Sequence, residues 1–497
     1  MQDDAGRPSP EEQQMNDEGL GYADHPPFID PVMDQYADQL MADIDALPTY
    51  RSTVGCVIPA YNEEDAIADV LDSLLAQTRL PDAIHVIVNN TTDATVEIAS
   101  HFAGLHVRGH GAEEQMTEVF VHDIGENPDK KVGALNYGYT LVEGMDYLLG
   151  VDGDTTADPH AIEYLVREIQ DDERIGGISA IYSIDDSGLD TWMGKFLIAG
   201  QRAQFAAFNM QNLLRGRNMA VLGGQYSIFS TTALRAVVKQ THQRYPWVRD
   251  SEIEDSLLSL EIKSAGYLTK ISAHARANVG GMTTLQSLDA QQVKWNTGAI
   301  DLMWPGQRGD TKGQPLHPNL RLRWFENLTM ATNGFTRLGF LFLLITSLML
   351  NAFVFVILWI VPTIMASLLN LKTAHAMHNA NKRDYLFALL FFPAEFYMWI
   401  RLGHFARSWT KFASSSQTDN WALQAKAESG GGGYAHFAPI AVVMIVLASS
   451  VAIWAQLPTG LQSDVLYVGW TVLGVITILQ TAWMALKLLK RHKGFKA

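Results

Sequence analysis

The chain has 497 residues, enough for a full catalytic domain and a second unit, and a formal net charge of −16. That charge argues against a non-specific nucleic-acid binder, which needs a basic face. The single cysteine, Cys56, rules out a disulfide framework or a cysteine metal site within one chain and fits a reducing compartment. Residues 1–28 are rich in Asp, Glu, Gln, Gly and Pro and read as disordered. No cationic stretch followed by an apolar one opens the chain, so the soluble part is expected to stay in the cytoplasm. In 31–47, Met33, Tyr36, Leu40, Ile44 and Leu47 recur at helical spacing between Asp34, Asp38, Asp43 and Asp45. This short amphipathic helix either packs on the domain that follows or offers its face to a protein partner.

From 51 to 336 strands alternate with helices. Val54–Ile58 is a buried-strand run, and Glu63–Leu75 is helical, with Ile67, Val70, Leu71, Leu74 and Leu75 on one face. Ile84–Val88 is the next strand, a helix starts at Thr95, Val119–Val121 reads as a third strand and Tyr147–Val151 as a fourth. This alternation predicts an α/β fold with a doubly wound, mostly parallel sheet. Ligands bind such sheets beyond the carboxyl ends of the strands. Asn62, Asn89 and Asp152 follow the first, second and fourth strands at that edge.

Residues 337–497 read as a helical membrane domain of about four crossings plus an interfacial helix. The uncharged apolar run 338–371 exceeds one span of about 20 residues and falls short of two comfortable ones. Residues 386–402 are apolar but contain Pro393, Glu395 and Arg401, whereas 437–457 and 465–486 are clean spans. Lys487, Lys490, Arg491, Lys493 and Lys496 mark a cytoplasmic C-terminus. If the basic loops around Lys382 and Arg407 also face inside, 338–371 is a tight hairpin and 386–402 lies in the interface. The other even solution makes 338–361 and 386–402 one span each; the charges favour the first. Either way the chain is expected in the cell membrane, with its catalytic domain cytoplasmic.

The chemistry centres on Asp152-Gly153-Asp154 after an apolar strand. Two carboxylates one residue apart can share one hard cation, Mg²⁺ or Mn²⁺, which also takes phosphate oxygens. A DxD alone is common in solvated turns. Its company is ordered: Pro59-Ala60-Tyr61-Asn62-Glu63, Asn89-Asn90-Thr91-Thr92-Asp93 and Lys131-Val132-Gly133 before it, then Gly223-Gly224, Glu254-Asp255 and Gln291-Gln292-Val293-Lys294-Trp295 after it.

This order resembles the family 2 inverting glycosyltransferases, in the membrane-integrated branch with cellulose, hyaluronan, chitin and poly-N-acetylglucosamine synthases. The resemblance covers about residues 52–300 and implies a GT-A-like fold. It further implies a nucleotide-sugar donor, with UDP-sugars foremost, and a polysaccharide or lipid-linked acceptor. Asp152 and Asp154 would hold the metal. Pro59, Tyr61, Asn62, Glu63, Asn89, Asp93, Lys131, Asp152 and Lys294 would surround the donor. Asp255 would be the general base with Glu254 orienting it, and Gly223, Gly224, Gln291 and Trp295 would meet the acceptor. Three departures stand out: Lys294 replaces the usual Arg, Asn89-Asn90 replaces a frequent Asp-Asp, and no membrane helix precedes the domain. Three outcomes remain open: a polysaccharide synthase, a single transfer to a lipid carrier, and an inactive membrane scaffold.

Overall fold

Seven consecutive buried residues, Val54–Ala60, form the first strand, β1. Burial on both faces explains why its sequence is an unbroken apolar run rather than an alternation. In the computed structural model the described residues are 51–110, 114–187, 189–249, 253–304, 320–353, 359–414, 427 and 433–497. The expected helix at 31–47 lies outside them. After β1 come α1 (Ile67–Leu75), β2 (Ala83–Val88), α2 (Thr95–Ser100), β3 (Gly104–Arg108), β4 (Gln115–Asp123), α3 (Lys130–Val142), β5 (Tyr147–Val151) and β6 (Thr155–Ala157). Then follow α4 (Ala161–Gln170), β7 (Ile175–Ile184), α5 (Trp192–Leu213), β8 (Tyr226–Ser230), α6 (Thr231–Thr241), α7 (Glu254–Ser264), β9 (Leu268–Val279) and α8 (Leu285–Met303).

The described strands form one nine-stranded sheet in the order β3-β4-β2-β1-β5-β8-β7-β9-β6. The block β4-β2-β1-β5 is parallel, as the strand–helix alternation predicts. Beyond it the sheet is mixed, since β8 runs antiparallel to both β5 and β7. Periodicity marks a strand but carries no direction, so this half could not be read in advance. The strand expected third, at Val119–Val121, is β4. The short edge strand β3 precedes it and leaves Leu105 and Val107 exposed, so it offers no buried run to read. Alternate residues of β1 face opposite ways: Cys56 and Ile58 pack with α1, α2 and α4, while Val57 packs with α3, α6 and α7. Helices on both faces make the sheet doubly wound.

The C-terminal part comprises α9 (Arg321–Met349), α10 (Ile360–Ala376), α11 (Lys382–Leu389), α12 (Phe391–Ala413), α13 (Ala438–Ala455) and α14 (Thr459–Leu489). Three segments among the described residues are long and apolar enough to cross a membrane: Arg323–Met349, Tyr434–Ala455 and Thr459–Leu489. A fourth would be α11 with α12, which meet at a bend of 84°. Residues such as Ile445, Ile478 and Leu479 stand exposed on α13 and α14, apolar surface suited to a lipid surround. The α/β part is bolted to these helices. Arg202 on α5 pairs with Asp384 on α11 at 2.9 Å, both side chains being buried. Arg202 also donates to the carbonyl oxygens of Ile184 and Asn379.

Candidate active site

The strands end where the motifs lie. At the end of β1 the chain turns through Asn62, and after β2 it turns through Asn90, with φ of 53° and 54°. Asparagine tolerates this left-handed conformation better than most residues, a local reason for both amides beside any role toward a ligand. The two turns are laced together: Thr92 N donates to Asn62 Oδ1 at 2.9 Å, and Glu64 N donates to Asp93 Oδ2 at 3.1 Å. Asp93 also accepts from Thr95 N, so its carboxylate holds the loops. Tyr61 is exposed at the mouth, Pro59 is buried within β1, and Asn89 is buried at the end of β2. The Glu63 side chain lies over Gly153, where an added Cβ would come within 2.8 Å of it.

Motifs distant in sequence converge on Lys131, at the start of α3. Its Nζ lies 2.6 Å from Asp152 Oδ1 and 3.6 Å from Glu254 Oε1. Burial alone would lower the Lys131 pKa, but Asp152, Glu254 and Asp255 outweigh it and hold the ammonium charged. Asp152 is fixed from behind, since its N donates to the Gln225 carbonyl at 3.1 Å. Asp154 is reached by solvent yet walled by protein. That crowding and the Asp152 charge push its carboxyl up to about 6, against Lys131 and Thr155.

Glu254 and Asp255 open α7, where negative charge complements the helix dipole. They differ in access: Glu254 is buried, and Asp255 is only partly covered. Burial and the adjacent Asp255 push the Glu254 carboxyl above the usual carboxylate range, against the pull of Lys131 and Lys294. Asp255 is held by backbone donors, Gly224 N to Oδ2 at 3.0 Å and Ser256 N to Oδ1 at 3.1 Å. Gly224 thus sits at the junction of the two carboxylate motifs. A Cβ there would lie 3.1 Å from Lys131 Nζ and 3.6 Å from Asp152 Oδ1, so glycine leaves that space open.

The helix α8 starts at a Thr284 cap and carries the last motif. Lys294 is buried on it, Trp295 and Gln291 are partly covered, and the Trp295 ring meets Phe205 on α5 edge-on at 6.4 Å. Sequence reasoning missed the supports of this site. The Tyr182 hydroxyl donates to the Gly223 carbonyl at 3.0 Å, and Ser227 Oγ donates to the same oxygen at 2.6 Å. Ser259 Oγ links the Asp255 carbonyl to Leu222 N. The available signal was a tyrosine inside a buried strand, since a buried hydroxyl needs a partner.

Residues 56–238 match the family described as Glycosyl transferase family 2. The chain carries a family 2 glycosyltransferase domain. Curated relatives include poly-beta-1,6-N-acetyl-D-glucosamine synthase of Staphylococcus aureus, 24% identical over 247 residues, covering 50% of this chain and 54% of that protein. The synthase of the same name from Staphylococcus epidermidis is 23% identical over 303 residues, covering 60% of this chain and 66% of its own. The match to the first of these thus spans about half the length of that relative. Among solved structures, S. aureus TarS 1-349 in complex with UDP-GlcNAc aligns at 14% identity and a TM-score of 0.36, covering 76% of this chain and 92% of that one. The family match reaches from β1 into α6; α7 and α8, with Glu254, Asp255, Lys294 and Trp295, follow it.

Proposed function

We propose that this chain is a membrane-embedded inverting glycosyltransferase that moves a sugar from a UDP-sugar to a growing polysaccharide at the cytoplasmic face. The observation that carries this reading is the meeting of Asp152, Glu254 and Asp255 around Lys131 and Gly224. The names of the curated relatives favour N-acetylglucosamine as the sugar.

Asp255 is the general base. It takes the proton of the acceptor hydroxyl while that oxygen attacks the anomeric carbon. A new carbon–oxygen bond forms on one face as the bond to the diphosphate breaks on the other, and UDP leaves with the electron pair. The two backbone donors on Asp255 orient its carboxylate. Glu254, tied to Lys131, sets the local charge rather than touching the acceptor. Lys131 and Lys294 supply positive charge near the departing diphosphate; Lys294 does so as a point charge, without the planar fork of arginine.

The residues present also fit one divalent cation. Lys131 acts on Asp152, Asp154, Glu254 and Asp255, and Lys294 on Glu254; against these two cations the four carboxylates leave an excess of two negative charges when all are ionised. Among the described residues no three His, Cys, Asp or Glu side chains converge on one point, so donor phosphate oxygens would complete the shell around Asp152 and Asp154. A bound Mg²⁺ or Mn²⁺ would offset the charge of the leaving diphosphate.

Asp255→Asn tests the reading. In membranes given radiolabelled UDP-N-acetylglucosamine, it should cut transfer by roughly two to four orders of magnitude while donor binding persists. Near-normal turnover with donor bound would remove Asp255 from the role. Product sizing separates the second reading, a single transfer to a lipid carrier, which Lys294 in place of arginine favours: that enzyme makes one product size throughout.

A further inference from the structure

Where α8 meets α5 and α12, a line of hydrogen bonds stops short. Tyr397 on α12 is buried, with its ring over Gly200 of α5, where an added Cβ would lie 2.2 Å from a ring carbon. Only glycine admits the ring at that point. One helical turn along α5, Gln204 Oε1 accepts from the Tyr397 hydroxyl at 3.1 Å. Gln204 Nε2 donates in turn to Gln292 Oε1 at 3.3 Å. Each amide spends its carbonyl on the donor before it, so the chain has one polarity and ends in N–H groups. The last of them, Gln292 Nε2, is buried and has no hydrogen-bond partner among the described residues, and Gln292 itself is only 6% exposed. A buried amide left this way costs free energy unless an acceptor oxygen reaches it.

Trp295 lies three residues further along α8, on the same side by helical spacing. Its ring meets Phe205, the neighbour of Gln204 on α5. A flat aromatic ring beside planar amide donors is the chemistry that holds a sugar, whose ring faces are apolar and whose rim is hydroxylated.

We propose that Gln292 is a specificity residue for the acceptor: its amide donates to a hydroxyl or ring oxygen of the sugar unit lying against Trp295, and Gln204 and Tyr397 hold it in that orientation. This rests on the transferase reading above and adds a residue set to it. It makes a residue of the C-terminal helical part, Tyr397, a positioning element for the acceptor.

The test uses the full chain in lipid nanodiscs, UDP-N-acetylglucosamine as donor and short N-acetylglucosamine oligomers as acceptors. Gln292→Met keeps length and volume but removes the donors. It should raise the acceptor KM about three- to tenfold, leaving the donor KM and the slow release of UDP without acceptor unchanged. Gln204→Met should shift the acceptor KM the same way. Tyr397→Phe, which removes one hydroxyl and spares the fold, should do so less. An acceptor KM unmoved in Gln292→Met and Tyr397→Phe overturns the proposal. So does an equal rise in donor and acceptor KM, the mark of a purely structural role. A parent protein that releases no UDP and transfers no sugar overturns the transferase reading and this inference with it; a parent that transfers normally while the variants match it overturns this inference alone.

Discussion

At the scale of single residues, the site depends on Lys131. Among the described residues it is the cation that bridges both carboxylate motifs, at 2.6 Å from Asp152 and 3.6 Å from Glu254. Lys131→Met should therefore lower kcat/KM for the nucleotide sugar by about a hundredfold or more, read as UDP release, because a preorganised charge at the diphosphate is lost. Asp154→Asn should abolish transfer with the protein still folded, and full activity of that variant, or of the parent in EDTA, would remove the metal assignment. A third prediction concerns a pair outside the site. His85 Nδ1 lies 3.2 Å from His122 Nε2, and burial followed by the His122 charge lowers the His85 pKa to about 4. Between pH 4 and 6.5 the unfolded chain then binds more protons at this residue than the folded one, so stability rises with pH across that window. Thermal melts of the full chain should show Tm falling as pH drops from 6.5 toward 4, and His85→Phe should flatten that slope. Equal slopes in both proteins would mean that His85 is not the group responsible.

At the scale of elements, α11 carries more than its length suggests. Asn381 and Asp384 form a capping box at its start, and Asp384 also takes Arg202 of α5. Asn381 and Arg383 meanwhile hold Asp186, at the end of β7. Asp384→Asn leaves the buried Arg202 guanidinium with only the looser contact to Asp186 at 4.0 Å as a carboxylate partner, so it should destabilise the chain toward the lower end of about 3–5 kcal/mol. Arg202→Met with Asp384→Leu, which removes both charges, should recover most of that. Melting both variants in one detergent checks it, and equal losses would show that the cap, not the ion pair, carries the effect. These elements were unequally legible. Long periodic helices and doubly buried strands announced themselves, as with Ile67, Val70, Leu71 and Leu74 on α1. The Arg202–Asp384 contact did not, because residues so far apart in the chain leave no local pattern.

For the whole molecule, the C-terminal helices carry the long apolar segments and exposed apolar surface suited to a bilayer. The apolar run 338–371 is divided between two helices, α9 ending at Met349 and α10 beginning at Ile360; of the two, among the described residues, α9 is the one long and apolar enough to cross a membrane. The 84° bend at Leu390 divides 386–402 between two helix directions, so this segment is no straight span. Around that bend Leu386, Leu389, Phe392 and Phe396 are exposed, a face for lipid. Reporter fusions at Lys382 and at the C-terminus should both report the cytoplasmic side; an external Lys382 would replace the hairpin with one span in each segment.

Composition and spacing alone determined the parallel block of the sheet, the apolar C-terminal third and the order of the motifs, because burial periodicity and strand-end polarity are local properties of the chain. The placement of Asn62, Asn89 and Asp152 at one edge followed from that alternation, whereas Lys131 was brought to Asp152 by the tertiary fold. Only the tertiary structure decided that β8 enters antiparallel, that Gly224 N donates to Asp255, and that Glu254 is buried while Asp255 is only partly covered. It also brought Gln292, beside the expected Gln291, to Gln204 and Tyr397. The physical reason is the same in each case: a hydrogen bond or ion pair between distant elements depends on how the sheet twists and the helices cross, and no single stretch of sequence contains that angle.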